Sequence, residues 1–384
     1  MREGWKTAKI EDIAQVVNGG TPKTKVPEYW DGDHLWITPA EMGGLASPYI
    51  ESSRRKLSDA GLKDSSASLL TKNSVILSTR APIGHLVINA EPMAFNQGCR
   101  GLIPRADVDS KYLYYFLYGS VELLNALGSG TTFKELSAGK LKKVELPLPP
   151  LPEQKRIVAI LDEAFAGIAT AVANTEKNLA NARELFESYL ATVASDEKQL
   201  GKYVRIVTGK LNANAAVENG QYPFFTCSRE VSRIDDYAFD CEAILLAGNN
   251  ASGDFNVKHY AGKFNAYQRT YVITVNDESR LAYRYLYFQL LRSLKQLKKG
   301  SVGAGTKFLK LDMIKNLPIS IPSMARQREV LSVLDSLDAD VSRIGAIYEE
   351  KLKALAELRQ SLLQKAFSGE LTAVPQDEIE DALA

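Results

Sequence analysis

The hydrophobic positions of the chain follow three rhythms. Short β-branched runs bounded by Gly, Asn, Asp and Pro, among them SVILST (74–79), AILLAG (243–248) and TYVITV (270–275), predict strands closed by turns. Two stretches, 110–124 and 281–298, set Tyr and Leu at helical spacing, and their rings are assigned to a core rather than to a stacking surface. The third rhythm is much longer. From 153 to about 194 there is no proline and one glycine, Gly167, and the core positions 157, 161, 164, 168, 171, 175, 179, 182, 185 and 189 step 4-3-4-3, the spacing of a coiled-coil seam. At 1.5 Å rise per residue, about 40 residues make a rod on the order of 60 Å, too long to stand without a partner helix.

Pro147, Pro149, Pro150 and Pro152 stand just before that rod. Each lacks an amide donor and pushes the residue before it out of the α region, so the run ends a globular segment stiffly and aims the chain into a helix. The junction occurs twice. LPLPPLPEQKRIVAILDEAF (146–165) has a blurred copy, ISIPSMARQREVLSVLDSLD (319–338), at an offset of 173 residues. Pro149 then meets Pro322, Gln154 meets Gln327, Ile157 meets Val330, and Leu161-Asp162 meets Leu334-Asp335. The same offset carries the whole seam onto a second helix at about 325–367, stopped by Ser368-Gly369. Upstream, GTTFKEL (130–136) echoes GTKFLKL (305–311), YLYYFL (112–117) echoes YLYFQL (285–290), and VVNGG (16–20) more faintly echoes IVTGK (206–210). The chain is two copies of one unit, a globular domain followed by a long helix.

Two homologous units in one chain pair about a pseudo-twofold axis, the intramolecular form of an isologous dimer. The expected fold is α+β: two pseudo-twofold-related domains, mixed and mostly β, joined by two long antiparallel coiled-coil helices. The boundaries place globular domains at 1–147 and 197–322, each junction with its long helix at 148–196 and 323–370, and an acidic tail at 371–384.

Composition changes this picture in one respect. A net charge of +1 over 384 residues hides an uneven distribution. Residues 200–322 carry 17 basic against 10 acidic side chains and residues 1–147 carry 18 against 16, whereas the remainder carries 12 against 20. The second globular domain is therefore basic and the connecting parts are acidic. Cys99, Cys227, Cys241, His34, His85 and His259 have neither disulfide nor metal-ligand spacing and are read as structural. No run of 18 apolar residues occurs and the N-terminal residues lack a signal-peptide core, so a cytoplasmic protein without a membrane partner is expected.

Two divergent β-rich domains, each closed by G-[TS]-x-[FM]-x-x-L and a P-x-P-P-L-x-E-Q-x-x-I-x-x-x-L-D junction, with LRQSLLQKAFSGEL at 358–371 finishing the second, resemble the specificity subunit of a type I restriction-modification enzyme. The likeness spans essentially the whole chain. The second junction departs from it, with Arg326 where the family has Glu. The resemblance implies that each globular domain is a target recognition domain reading one half of a bipartite site in double-stranded DNA, with the helices fixing the gap. It implies two adenine-N6 methyltransferase (modification) subunits docked on the helices, with S-adenosylmethionine bound there and no cofactor on this chain. Restriction subunits join the full complex. The chain itself would be non-catalytic, in agreement with the absence of an N-P-P-[YF] motif and of a G-x-x-x-x-G-K-[ST] loop from the sequence.

Base edges are read by Arg, Lys, Asn and Gln, and phosphates are held by further cations and hydroxyls. Polar, Gly-flanked loops that recur in both copies supply the candidates. In the first domain these are Thr21, Lys23, Lys25, Thr79, Arg80, Asn96, Gln97, Thr131, Thr132 and Lys134; in the second they are Lys210, Asn249, Asn250, Ser252, Gln268, Arg269, Thr306 and Lys307. Glu153, Gln154, Ile160, Phe165, Val172, Gln327, Val333 and Ile347 are the candidates for docking the partner subunits. No metal site is expected. A coiled-coil adaptor whose domains bind proteins, or an enzyme acting alone, are the competing readings.

Overall fold

The computed structural model describes residues 4–45, 47–130, 134–192 and 197–373. The chain divides into two compact units, one from Met1–Asn174 and Lys351–Ala384, the other from Thr175–Glu350. The cut passes through both long helices, so each unit holds one globular head, the first part of the helix that follows it and the last part of the other long helix.

In the first unit the strands Lys6–Lys9 and Glu145–Leu148 pair antiparallel and close the head at its own two ends. Between them lie a five-stranded sheet, ordered Ala14–Asn18, Cys99–Pro104, Val75–Thr79, Ile83–Asn89 and Tyr49–Ile50, and a three-stranded sheet, Arg55–Leu57, Trp30–Ile37 and Met93–Phe95. One side of the larger sheet is buried under the first head helix, Ser110–Gly119, in a core that also takes in Ile157, Val158 and Leu161 of the long helix and Leu363 and Ala366 of the other. Asp109 caps the head helix by accepting from the amides of Lys111 and Tyr112. The helix expected over 110–124 is in fact two, because Ser120 leaves helical geometry before Val121–Leu127.

The second unit repeats the closure with Glu197–Gln199 against Pro318–Ser320. Its head has a six-stranded sheet, ordered Val204–Thr208, Thr270–Val275, Phe239–Ala247, Val257–Ala266, Tyr222–Phe225 and Ser232–Ile234, covered by the second head helix, Tyr283–Gly300, and a two-stranded ribbon of Asn249–Asn250 with Lys307–Phe308. The strands expected at 74–79 and 270–275 are present, and that at 243–248 is the inner end of Phe239–Ala247, whose outer half alternates in polarity and lacks an apolar run.

The long helices run Leu151–Thr192 and Met324–Ser368. The first begins inside the proline run, with Pro152 in its first turn, where no amide is needed. Gly369, at φ +87°, ends the second. Within the first unit Glu153 is bonded to Thr372, and Phe165 lies beneath the Arg359 guanidinium, so the two helix segments there run antiparallel. Within the second, a Cβ on Gly345 would stand 3.9 Å from Leu179 Cδ1, and Tyr189 lies within electrostatic reach of Arg326, again antiparallel. The predicted seam holds at its start, where Ile157, Leu161, Val330 and Leu334 are fully buried, and fails at Leu185 and Leu358, which are 60% and 47% exposed. Ile168 and Thr175 along the first helix are buried too, and Tyr189 and Leu362, one step beyond the two exposed leucines, are half-buried.

The first long helix is long and apolar enough, by length and composition, to cross a membrane. Among its buried positions, Ile157, Val158 and Leu161 are taken by the core of its own unit. From residue 374 on, the expected acidic tail lies outside the described residues.

Candidate nucleic-acid interface

In the first head, four of the polar loops named from sequence meet at one end of the sheets. Gly20 N donates to Phe95 O at 2.9 Å, and a Cβ on Gly19 would fall 2.1 Å from Asn96 O, so only glycine lets the 19–25 loop press on the 96–98 turn. Asn96 Nδ2 donates to Thr21 Oγ1 (2.9 Å) and Asn96 Oδ1 accepts from Gly98 N (2.7 Å). Gly98 O in turn accepts from Thr79 N, and Thr79 O accepts from Leu136 N, which brings in the 79–82 and 134–136 segments.

This end carries Lys23, Lys25 and Lys134, all exposed, together with Arg80 and exposed Gln97. Glu135 sits between Arg80 (3.7 Å) and Arg100 (3.8 Å), one carboxylate shared by two guanidiniums. Arg100 and Glu135 were missed from sequence, because Arg100 belongs to the strand Cys99–Pro104 and a carboxylate was not sought among groups that bond bases or phosphates. Thr79 requires correction: it is fully buried and its hydroxyl is spent on Gly98 O, so it shapes the turn rather than facing a ligand. Asn96 likewise has its amide engaged, by Thr21 of the neighbouring loop and by Gly98 of its own turn. Thr131 and Thr132 lie outside the described residues.

The second head gathers the equivalent loops. Gly209 could not be any other residue, since a Cβ there would fall 1.8 Å from Ala266 O. Gln268 Nε2 donates to Asn212 Oδ1 (2.7 Å). Gly248 N donates to Arg269 O (2.9 Å), and the Arg269 guanidinium lies 5.0 Å from the centre of the Phe308 ring. Asn249 and Asn250 pair with Phe308 and Lys307 as a two-residue ribbon, which also places Thr306.

Lys210, Gln268 and Arg269 are exposed there. Asn250 Oδ1 accepts from Ser252 N, Ser252 Oγ and Asp254 N, the bonding of a turn, with Asn250 half-buried and Ser252 exposed. Two cations were missed. Arg229 pairs with Asp254 and holds its carboxyl below the usual range, and Lys258, lowered by burial, donates to Ser228 O. Their segments are strand edges and turns with no glycine pattern to mark them. Among the described residues no group of His, Cys, Asp and Glu is arranged to hold a metal ion.

The residues named for partner docking divide in two. Gln154 and Gln327 are fully buried, and both face their own head. Gln154 Oε1 accepts from Asp109 N (2.8 Å), while Nε2 donates to Asp107 O (3.0 Å) and Pro149 O (2.9 Å). Gln327 Oε1 accepts from Ala282 N (3.0 Å), while Nε2 donates to Arg280 O (2.8 Å) and Pro322 O (2.9 Å). Every polar atom of both amides is thus consumed inside the unit, which removes them from any docking surface. Glu153 is bonded to Thr372, and Phe165 packs edge-on against Tyr115. Val333 and Ile347 are the exposed ones, at 39% and 55%; Ile160 and Val172 are half-buried.

Comparison with known proteins places the whole chain. A profile of the type I restriction modification DNA specificity domain matches residues 2–180 and 195–352. The type I restriction enzyme MjaIX specificity subunit of Methanocaldococcus jannaschii is 29% identical over 410 aligned positions, covering 96% of this chain and 93% of that one. The EcoDI specificity subunit of Escherichia coli is 41% identical over 174 residues, 45% of this chain and 38% of that one. Among solved structures, a chain of a type I R-M system superposes with a TM-score of 0.76 at 17% identity, covering 97% of this chain and 99% of its own length. The HsdS subunit of Thermoanaerobacter tengcongensis superposes at 0.52, with 17% identity and 97% and 98% coverage.

Proposed function

The chain belongs to the type I restriction-modification DNA specificity family, and from that membership we propose that each head reads one half of a bipartite sequence in double-stranded DNA through its loop cluster. The observation that carries this reading is the repetition of one kind of surface on two heads. Each has amide and guanidinium side chains able to bond base edges, exposed lysines for phosphates, and loops held by main-chain bonds on a sheet. In the first head the readers are Arg80 and Gln97 with Lys23, Lys25, Lys134 and Arg100; in the second, Gln268 and Arg269 with Lys210, Arg229 and Lys307. The chain itself performs no chemistry. Two adenine-N6 methyltransferase subunits, which bind S-adenosylmethionine, dock along the long helices at exposed apolar positions such as Val333 and Ile347, joined by Leu185 and Leu358. Restriction subunits complete the complex in the cytoplasm. The adaptor reading, with heads that bind proteins, has no support among the relatives.

The test is to co-express the chain with the adenine methyltransferase of its system and map N6-methyladenine over the host genome. One bipartite motif with a fixed gap is expected. A continuous motif, or none, overturns the proposal.

A further inference from the structure

The buried glutamines of the two junctions make the same three bonds, although only some of the surrounding side chains are the same. Each buried glutamine joins three main-chain atoms: the amide that caps the head helix, the carbonyl two residues before it, and the carbonyl of the proline five residues back in its own chain. All six partners keep the offset of 173. A second contact keeps it too. Lys111, near the start of the first head helix, donates to Asp162 at 2.6 Å, and Arg284 at the same place in the second donates to Asp335 at 2.8 Å. Between glutamine and aspartate on the same helix face lie the fully buried pairs Ile157 with Leu161, and Val330 with Leu334. The sequence spacing Gln-x-x-Ile/Val-x-x-x-Leu-Asp is therefore one side of a helix, seated on the start of the head helix.

We infer that Gln154 and Gln327 are positioning residues that fix the angle of each head on the helix that follows it, and so set the gap at which the two half-sites are read, without touching DNA. An apolar contact alone leaves a head free to roll about the helix, because burial has no direction. A planar amide that accepts from one main-chain amide of the head, donates to a carbonyl two residues away in the same segment, and is itself held by the junction proline removes that freedom, since roll of the head misaligns both bonds to it. That the partners are main-chain atoms explains how the lock survives divergence of the heads: Asp107 and Asp109 have become Arg280 and Ala282, and the bonds are unchanged.

This inference rests on the proposed reading of a bipartite site, and the experiment separates the two. N6-methyladenine is mapped for the full chain co-expressed with its methyltransferase, as wild type and as Gln154→Leu, Gln327→Leu, Asp162→Asn and Ile76→Val. Ile76 is buried in the first head away from the junction, so Ile76→Val reports loss of stability alone. Both glutamine variants are expected to keep the two half-site sequences and to raise methylation at sites whose gap differs by one base pair by about tenfold. Asp162→Asn, which keeps the shape and loses the charge, moves the same readout by a smaller factor and serves if the leucine variants do not fold. Ile76→Val leaves the gap sharp. A gap that stays sharp in both Gln154→Leu and Asp162→Asn overturns the inference, as does equal broadening in Ile76→Val. If the wild type shows no bipartite motif, the proposed function fails instead.

Discussion

The junctions and the loop ends of this molecule diverged from the same two ancestral copies to very different extents. At the junctions the glutamine bonds and the buried apolar pairs repeat one for one under one offset, and a cation of each head helix pairs with the corresponding aspartate. At the loop ends the resemblance is only one of kind. The first head shares a carboxylate between two guanidiniums, at Glu135, while the second ties a single arginine to Asp254 and lays another over Phe308. The sheets behind them differ as well, five strands with a three-stranded companion against six with a two-stranded ribbon. The junction contacts reach main-chain atoms and buried apolar surface, which impose the same demand whatever sequence the head carries. The loops face outward and have only their own turns to satisfy, so their chemistry is free to change with what they read.

That contrast can be broken most strongly at its apolar centre. Leu161→Ala and Leu334→Ala should each cost about 2–5 kcal/mol, measured as the shift of the urea midpoint, because each empties a fully buried site that its head also lines. Matching losses are expected, and an inert member of the pair would show that the two junctions are not equivalent. Gln154→Leu and Gln327→Leu come next. Each strands one amide and two carbonyls under the helix, at a cost of about 1–3 kcal/mol in the same measurement.

At the loop ends the expected effects are on binding. Glu135→Gln releases Arg80 and Arg100, so nonspecific DNA affinity should rise and the slope of log affinity against log salt should steepen by about one phosphate contact. Asp254→Asn in the second head should act in the same direction and less, since Arg229 is already 74% exposed while paired. The smallest effect sharpens the comparison. Arg326 differs from its counterpart Glu153, and it is exposed and pairs along its own helix with Glu329. Arg326→Glu should therefore change stability by no more than about 0.5 kcal/mol.

The repeat, the two long helices and the strand at 270–275 were legible because periodicity and self-similarity are properties of the sequence itself. Tyr112 and Tyr285, read as core rings, are fully buried. The role of Gln154 was not legible. A glutamine in the first turn of a helix looks exposed, and only the fold brings the 107–109 segment, some 45 residues away, onto it. Thr79 was misread for a related reason: a polar residue beside an arginine at a strand end resembles a loop contact until Gly98 O is found above it. Arg100, Glu135, Arg229 and Lys258 were overlooked because their place at the loop ends depends on pairing between distant strands. Leu185 and Leu358 keep the seam's spacing and are nevertheless exposed, which periodicity alone does not show.

The division of labour between loops and junctions is tested most directly by exchanging residues 200–322 for the corresponding segment of a relative with a different target, leaving both glutamines in place, and mapping N6-methyladenine in cells that express the chimera with its methyltransferase. One half of the bipartite motif should change to that of the relative, while the other half and the gap stay as in the wild type. An unchanged motif, or one altered in both halves, would contradict the account.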